Sequence, residues 1–433
     1  MSRYTAPGQL GSAVRFVTRY DHFIGGDYVP PSAGRYFTNP TPVTGQVFTE
    51  VAEGTADDLH RARQEALSAA ATWSRTALAE RAVILSEIAD RIEDNLEALA
   101  IAETWDTGKP IRSTLGADLP LASDHFRYFA GAIRAMEGVR SEVDGDTVVH
   151  GFREPLGVVT QAVSWDFPLL GAAWLLAPAL ATGNTVVLKP AVQTPASLHV
   201  LLGVIADLLP PGVINVVNGC GGSPVLGTGP SVFFADLSGC LRSRALDGFA
   251  AGTSAAFIQH GRYEQFLDAA LGRVEALVTG HPLDTATTVG ALVSADEWAK
   301  ALWHIDNARR TGAHIRAGGG RVSLGGELAD GFFLEPTVIE GRASVVGPMI
   351  SVSRFNDFDD AVKLVNDMPP SSGASIWSQD CGVGYRAGRA INASRVWVNA
   401  EHAHPAEAAY GGENRNGLLA RYWREKRLLV NFS

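Results

Sequence analysis

Cysteine is scarce in this chain: three residues among 433, Cys220, Cys240 and Cys381, with no Cys-x-x-Cys pair. That usage excludes a disulfide framework and suits a reducing cytoplasm. Long apolar runs are missing as well. The best candidate, Phe167 to Ala181, contains Pro168 and Pro178 and stops short of the ~18 residues that suggest a membrane-spanning helix. Met1 to Pro7 lacks the apolar core of a secretory signal. Positive charge is in deficit, with 36 Lys and Arg against 46 Asp and Glu, and no basic cluster offsets the net charge of −10. Nucleic acid and anionic membrane surfaces are therefore poor partners. There is no internal repeat or low-complexity tract. What remains is a globular chain, 46% hydrophobic and 19% charged, long enough for two or more domains.

The chain is organised around Thr160 to Ser197. Gly157 to Val163 is a short apolar run that reads as a buried strand, and Phe167 to Ala181 reads as a buried helix. After the Gly183-Asn184 turn, Thr185 to Leu188 is a second β-branched run. Strand, helix and strand in that order make a βαβ unit, and apolar strands imply a sheet covered on both faces. Ligands of such sheets bind just beyond the carboxyl ends of the strands. Here those positions are Ser164-Trp165-Asp166-Phe167-Pro168 and Lys189-Pro190-Ala191.

Upstream, residues 1 to 20 read as an arm, and His22 to Val29 and Arg35 to Val51 as short strands. Thr55 with Asp57 and Asp58 is a helix start. Leu85, Ile88, Ile92, Leu96 and Leu99 recur at helical spacing, as do Phe126, Phe129 and Ile133. This helical block covers one sheet face and shows no candidate catalytic residue. Downstream, Ser294-Ala295-Asp296-Glu297 is a capping box opening a helix. Phe332 to Val338, Met349 to Phe355 and Ser375 to Ser378 read as strands.

Trp-x-Phe-Pro at Trp165 to Pro168, Gly-Asn-Thr-Val-Val-Leu-Lys-Pro-Ala at Gly183 to Ala191, and Gln-Thr-Pro at Gln193 to Pro195 closely resemble the aldehyde dehydrogenase superfamily. The resemblance runs from about Tyr20 to Phe432. It implies an α/β fold in three parts. A truncated Rossmann-like unit takes 1–144 and 154–226. The former catalytic unit takes 227–415. A β-arm for oligomerisation takes 145–153 and 416–433.

An aldehyde dehydrogenase needs a Cys nucleophile, oxyanion donors, a nicotinamide and a carboxylate base. Against the family pattern this chain departs at each. Asn218 to Pro224 leads almost directly to Ser231 to Asp236, so roughly forty residues are absent, far beyond loop variation. Ala250 falls nearest the nucleophile position, with Cys240 ten residues earlier. Pro224 falls at the base, and Asp166 stands for the oxyanion-hole Asn. Lys189 and Trp165 remain as vestiges of the cofactor site. Val192 replaces the ribose-binding Glu, and a second, smaller deletion lies between Glu340 and Gly347. These losses predict that neither NAD nor NADP binds, and no metal is expected.

One segment looks gained. Glu401, His402, His404 and Glu407 place four titratable side chains within seven residues, and in an extended segment His402 and His404 point the same way. An exposed polar loop gives the same pattern. Asp166 is a candidate to approach this cluster across the crevice.

Together these points predict a neofunctionalised pseudoenzyme, a ligand-binding or partner subunit of the cytoplasm. One alternative is a repurposed non-redox enzyme using Asp166, Glu401, His402, His404 and Glu407. Another is an atypical NAD(P)-dependent aldehyde dehydrogenase. A homodimer or homotetramer through the β-arm is expected. An intact family member or other protein is a candidate for the shortened sheet edge.

Overall fold

The computed structural model describes residues 3–219, 231–235, 254–343, 345, 347–368, 373–393, 395–400 and 419–432. An N-terminal hairpin, β1 (His22–Ile24) and β2 (Asp27–Val29), precedes four helices: α1 (Ala56–Trp73), α2 (Leu78–Asp94), α3 (Leu96–Thr107) and α4 (Leu119–Arg134). Thr55 opens α1 through a reciprocal capping box with Asp58. Then come the ribbon β3 (Val139–Glu142) and β4 (Thr147–Pro155), and the central unit β5 (Val158–Ala162), α5 (Pro168–Ala181) and β6 (Thr185–Lys189). Helix α6 (Ala196–Ile205) and strand β7 (Ile214–Val216) complete this part.

The first sheet runs β2-β1-β7-β6-β5, with β5, β6 and β7 parallel and the hairpin added antiparallel to β7. Helix α5 has no polar face because it is buried all round. Leu169, Leu170, Leu176 and Leu180 are each at most 1% exposed, which stabilises the unit by roughly 1.5–3 kcal/mol per side chain. The expected burial holds for β6 but is corrected for β5. Among the described residues β5 is the sheet's terminal strand, its Thr160 is exposed, and Val158, Val159 and Ala162 are only half-buried. An apolar sequence does not reveal whether a neighbouring strand exists to cover it.

The second sheet has seven strands, ordered β10 (His314–Ala317), β11 (Thr337–Glu340), β12 (Met349–Phe355), β9 (Ala255–Gln259), β8 (Ser231–Ala235), β13 (Gly373–Trp377) and β14 (Val396–Val398). All its pairings are parallel except that of β10 with β11. Helices α7 (Tyr263–Glu275), α8 (Ala295–Arg310), α9 (Phe358–Asn366) and α10 (Cys381–Ala390) accompany this sheet. A third sheet, β15-β4-β3, pairs β15 (Trp423–Asn431) with β4 along nine residues. Among the described residues no helix is long and apolar enough to cross a membrane.

A close backbone approach joins the two units near the crevice. Gly108 ends α3 at φ +79°, and its carbonyl accepts from the Ala291 N–H at 3.0 Å. A Cβ on Gly108 would stand 2.7 Å from the Ala291 carbonyl oxygen, and one on Gly290 would stand 1.9 Å from the Gly108 carbonyl oxygen. Both positions need glycine. From Ala291 the chain passes Ser294, whose hydroxyl accepts from the Glu297 N–H to open α8. The Gly108–Ala291 contact therefore sets where α8 begins.

Candidate active site

The carboxyl ends of β5 and β6 are tied together. Ala162 pairs with Lys189, and the Val163 N–H donates to the Lys189 carbonyl at 2.9 Å. Beyond them the buried sheet gives way to a half-buried rim, Ser164 to Phe167 on one side and Lys189 on the other. Trp165 and Lys189, the two expected cofactor residues, therefore leave adjacent strands at one crevice.

Asp166 sits in that rim with no hydrogen bond to its carboxylate among the described residues. It does not cap α5. The N-cap position is Phe167, which makes no side-chain cap. Burial pushes the Asp166 carboxyl up to about 7; the nearby Lys109 ammonium pulls it down and Glu297 of α8 pushes it up. A carboxyl poised near neutrality in a crevice is suited to accepting and returning a proton.

Sequence reasoning missed Lys109. It follows Gly108, at the end of the α3 run Glu103-Thr104-Trp105-Asp106-Thr107. Its ammonium forms an ion pair with Asp118, contacts the Asp166 carbonyl oxygen at 3.4 Å and lies 4.1 Å above the Phe167 ring centroid. The available signal was compositional: two acids in the otherwise apolar face of a buried helix. Asp106 has found a position at a helix start. Asp106 accepts from the Ser197 N–H at 2.7 Å, in the first turn of α6, and from Asn39 Nδ2 at 2.9 Å. Burial nonetheless raises it to about 6. Glu103 is fully buried, and neither carboxyl oxygen has a hydrogen-bond partner. Burial raises its pKa, as does Asp118, while Lys109 lowers it.

The remaining expectations fall elsewhere. Glu401, His402, His404 and Glu407 lie outside the described residues, as do Cys220, Pro224, Cys240 and Ala250. The structure thus brings Asp166, Trp165 and Lys189 to one rim and leaves the His-x-His segment's place undescribed. Cys381, the described cysteine, is exposed at the start of α10.

The aldehyde dehydrogenase family model matches residues 28–226 and 250–426. The chain belongs to the aldehyde dehydrogenase family. It is 47% identical to a probable aldehyde dehydrogenase of Streptomyces coelicolor over 500 aligned positions, covering 100% of this chain and 99% of the relative. It is 46% identical to the fluoroacetaldehyde dehydrogenase of Streptantibioticus cattleyicolor, with the same coverage. Among solved structures it resembles PnpE in complex with nicotinamide adenine dinucleotide, with a TM-score of 0.90 and 28% identity over 96% of this chain and 98% of that one. An alignment of 500 positions against 433 residues leaves 67 positions with no counterpart here, which confirms large internal deletions.

Two expectations are overturned. Full-length relatives at 44–47% identity carry the names of aldehyde dehydrogenases, which contradicts the neofunctionalised pseudoenzyme. Structural neighbours solved with the dinucleotide contradict the expectation of no cofactor. The departures at Ala250 and Pro224, on which those two expectations rest, lie outside the described residues.

Proposed function

We propose that this chain is an atypical NAD(P)-dependent aldehyde dehydrogenase whose proton acceptor is Asp166. The observation that carries the reading is the half-buried Asp166 carboxyl, without a hydrogen bond among the described residues, at the carboxyl end of β5, where a doubly wound sheet binds its ligands. The rim fits a dinucleotide at its adenosine end. Lys189 offers a cation at the end of β6, and Val192, 47% exposed, places no carboxylate against a ribose phosphate. A nicotinamide, when bound, supplies the hydride acceptor. The chain's part is to seat the hydrated aldehyde against Phe167 and to take its hydroxyl proton on an Asp166 carboxylate oxygen. Loss of that proton, with the C–H hydrogen leaving as hydride, converts the hydrate to the carboxylic acid.

The β15-β4-β3 sheet supports assembly of like copies. Leu428, Leu429 and Phe432 are 47%, 64% and 71% exposed along it, an apolar surface that a lone chain leaves wet. A cytoplasmic setting accords with the cysteine usage. The function is tested by following reduced nicotinamide formation with short aliphatic aldehydes and either dinucleotide. Turnover that scales with enzyme supports it; binding of neither dinucleotide, together with no turnover, refutes it.

A further inference from the structure

Lys109 is half-buried next to Gly108 and touches four groups at once. Its partner Asp118 is 5% exposed and fixes the ammonium from below. Above it stand the Asp166 carbonyl oxygen at 3.4 Å and the Phe167 ring at 4.1 Å. The Lys109 N–H donates to Thr107 Oγ1 at 3.1 Å, which fixes the stem as the chain leaves Gly108. The third nearby carboxyl, Glu103, is fully buried with both oxygens unpartnered. A carboxyl so desolvated stays neutral, so it does not compete with Asp118 and Asp166 for the ammonium.

We propose that Lys109, anchored by Asp118, is the positioning residue of the site: held on the Asp166 carbonyl oxygen and the Phe167 ring, its ammonium pins the Asp166–Phe167 turn and sets the charge beside the Asp166 side chain. The charged groups facing Asp166 are Lys109 from the α3 end and Glu297 from α8, with Asp118 and Glu103 reached through Lys109. The cation and the acid act in opposite directions, so the balance between two separately folded elements tunes the carboxyl. The Gly108–Ala291 approach holds that balance, because it fixes both the Lys109 stem and the chain leading to α8. The assignment of a catalytic part to Asp166 rests on the function proposed above; the control of its protonation by Lys109 does not.

The test is the titration of Asp166 by carboxyl carbon NMR of the full chain, labelled at Asp and assigned with Asp166→Asn. Lys109→Met should raise the Asp166 midpoint by about one pH unit or more, and Lys109→Arg should restore it. Because Lys109→Met leaves Asp118 unpaired in the interior, Lys109→Met with Asp118→Asn removes the pair together. Glu297→Gln, which leaves the pair intact, should move the midpoint down. Midpoints unchanged in Lys109→Met, in the double variant and in Glu297→Gln overturn the proposal. Shifted midpoints in a chain that oxidises no aldehyde leave it standing and count against the proposed function instead.

Discussion

The Ser197 N–H donates to the Asp106 carboxylate at 2.7 Å, so a buried acid on α3 caps the helix α6 from outside it. Pro195, the N-cap residue of α6, makes no side-chain cap of its own. Asp106 thus binds two helices across the N-terminal unit, with Asn39 completing its shell. Replacing it with Ala should cost about 2–3 kcal/mol in urea unfolding, because it removes a cap and leaves buried donors unmet. Asp106→Asn should cost less.

Asp106 and the buried histidines should give opposite pH dependences. Asp106 is raised to about 6, so its contribution to stability is full below the ordinary carboxylate range and is lost as pH rises through 6. His199 stacks on Tyr20 at 4.6 Å between centroids, donates from Nε2 to Asn218 Oδ1 at 3.1 Å and is held down to about 4 by burial. His281 is lowered to about 4 for the same reason. Their contribution is full above the unfolded value of about 6.5 and is lost as pH falls toward 4, by on the order of 3 kcal/mol for fully buried His199. Unfolding free energies measured from pH 4 to 8 should therefore fall steeply on the acid side. His199→Phe should flatten that limb; an unchanged slope would count against the assignment.

Gly108→Ala combines φ +79° with a Cβ 2.7 Å from the Ala291 carbonyl oxygen. It should lower stability by about 2 kcal/mol or more, measured by thermal unfolding. It should also disturb the Asp166 titration, since Lys109 and α8 are both placed from this contact. Gly116, where an added Cβ meets nothing within 4 Å and φ is ordinary, serves as the control.

Dinucleotide preference should follow Val192. With no carboxylate there to accept the ribose hydroxyls, NADP should bind at least as well as NAD by isothermal titration. Val192→Glu should move the preference toward NAD by about tenfold, the worth of one charge-assisted hydrogen bond. A variant with unchanged relative affinities would separate Val192 from the cofactor rim.

Much of the fold was legible in the sequence because its strongest signals are local. The run Val158 to Lys189 combines apolar strands, a fully apolar helix and a Gly-Asn turn, and the structure keeps all three within one or two residues. The exposure of β5 was not legible, because it depends on which strands pair beside it, and among the described residues only β6 does. The site was only half legible. Asp166 was visible from its place after a strand. Lys109 and Glu297 were not, because they lie 57 and 131 positions from Asp166 in the chain and no local pattern marks either.

The most direct test of the account is the pH dependence of aldehyde oxidation in the wild type and Asp166→Asn, with dinucleotide binding measured in both. The wild type should show an acid limb near pH 7, where Asp166 loses its proton. Asp166→Asn should bind dinucleotide unchanged while kcat falls by about 10²-fold or more and the limb disappears. An Asp166→Asn enzyme with the wild-type rate and profile would contradict it.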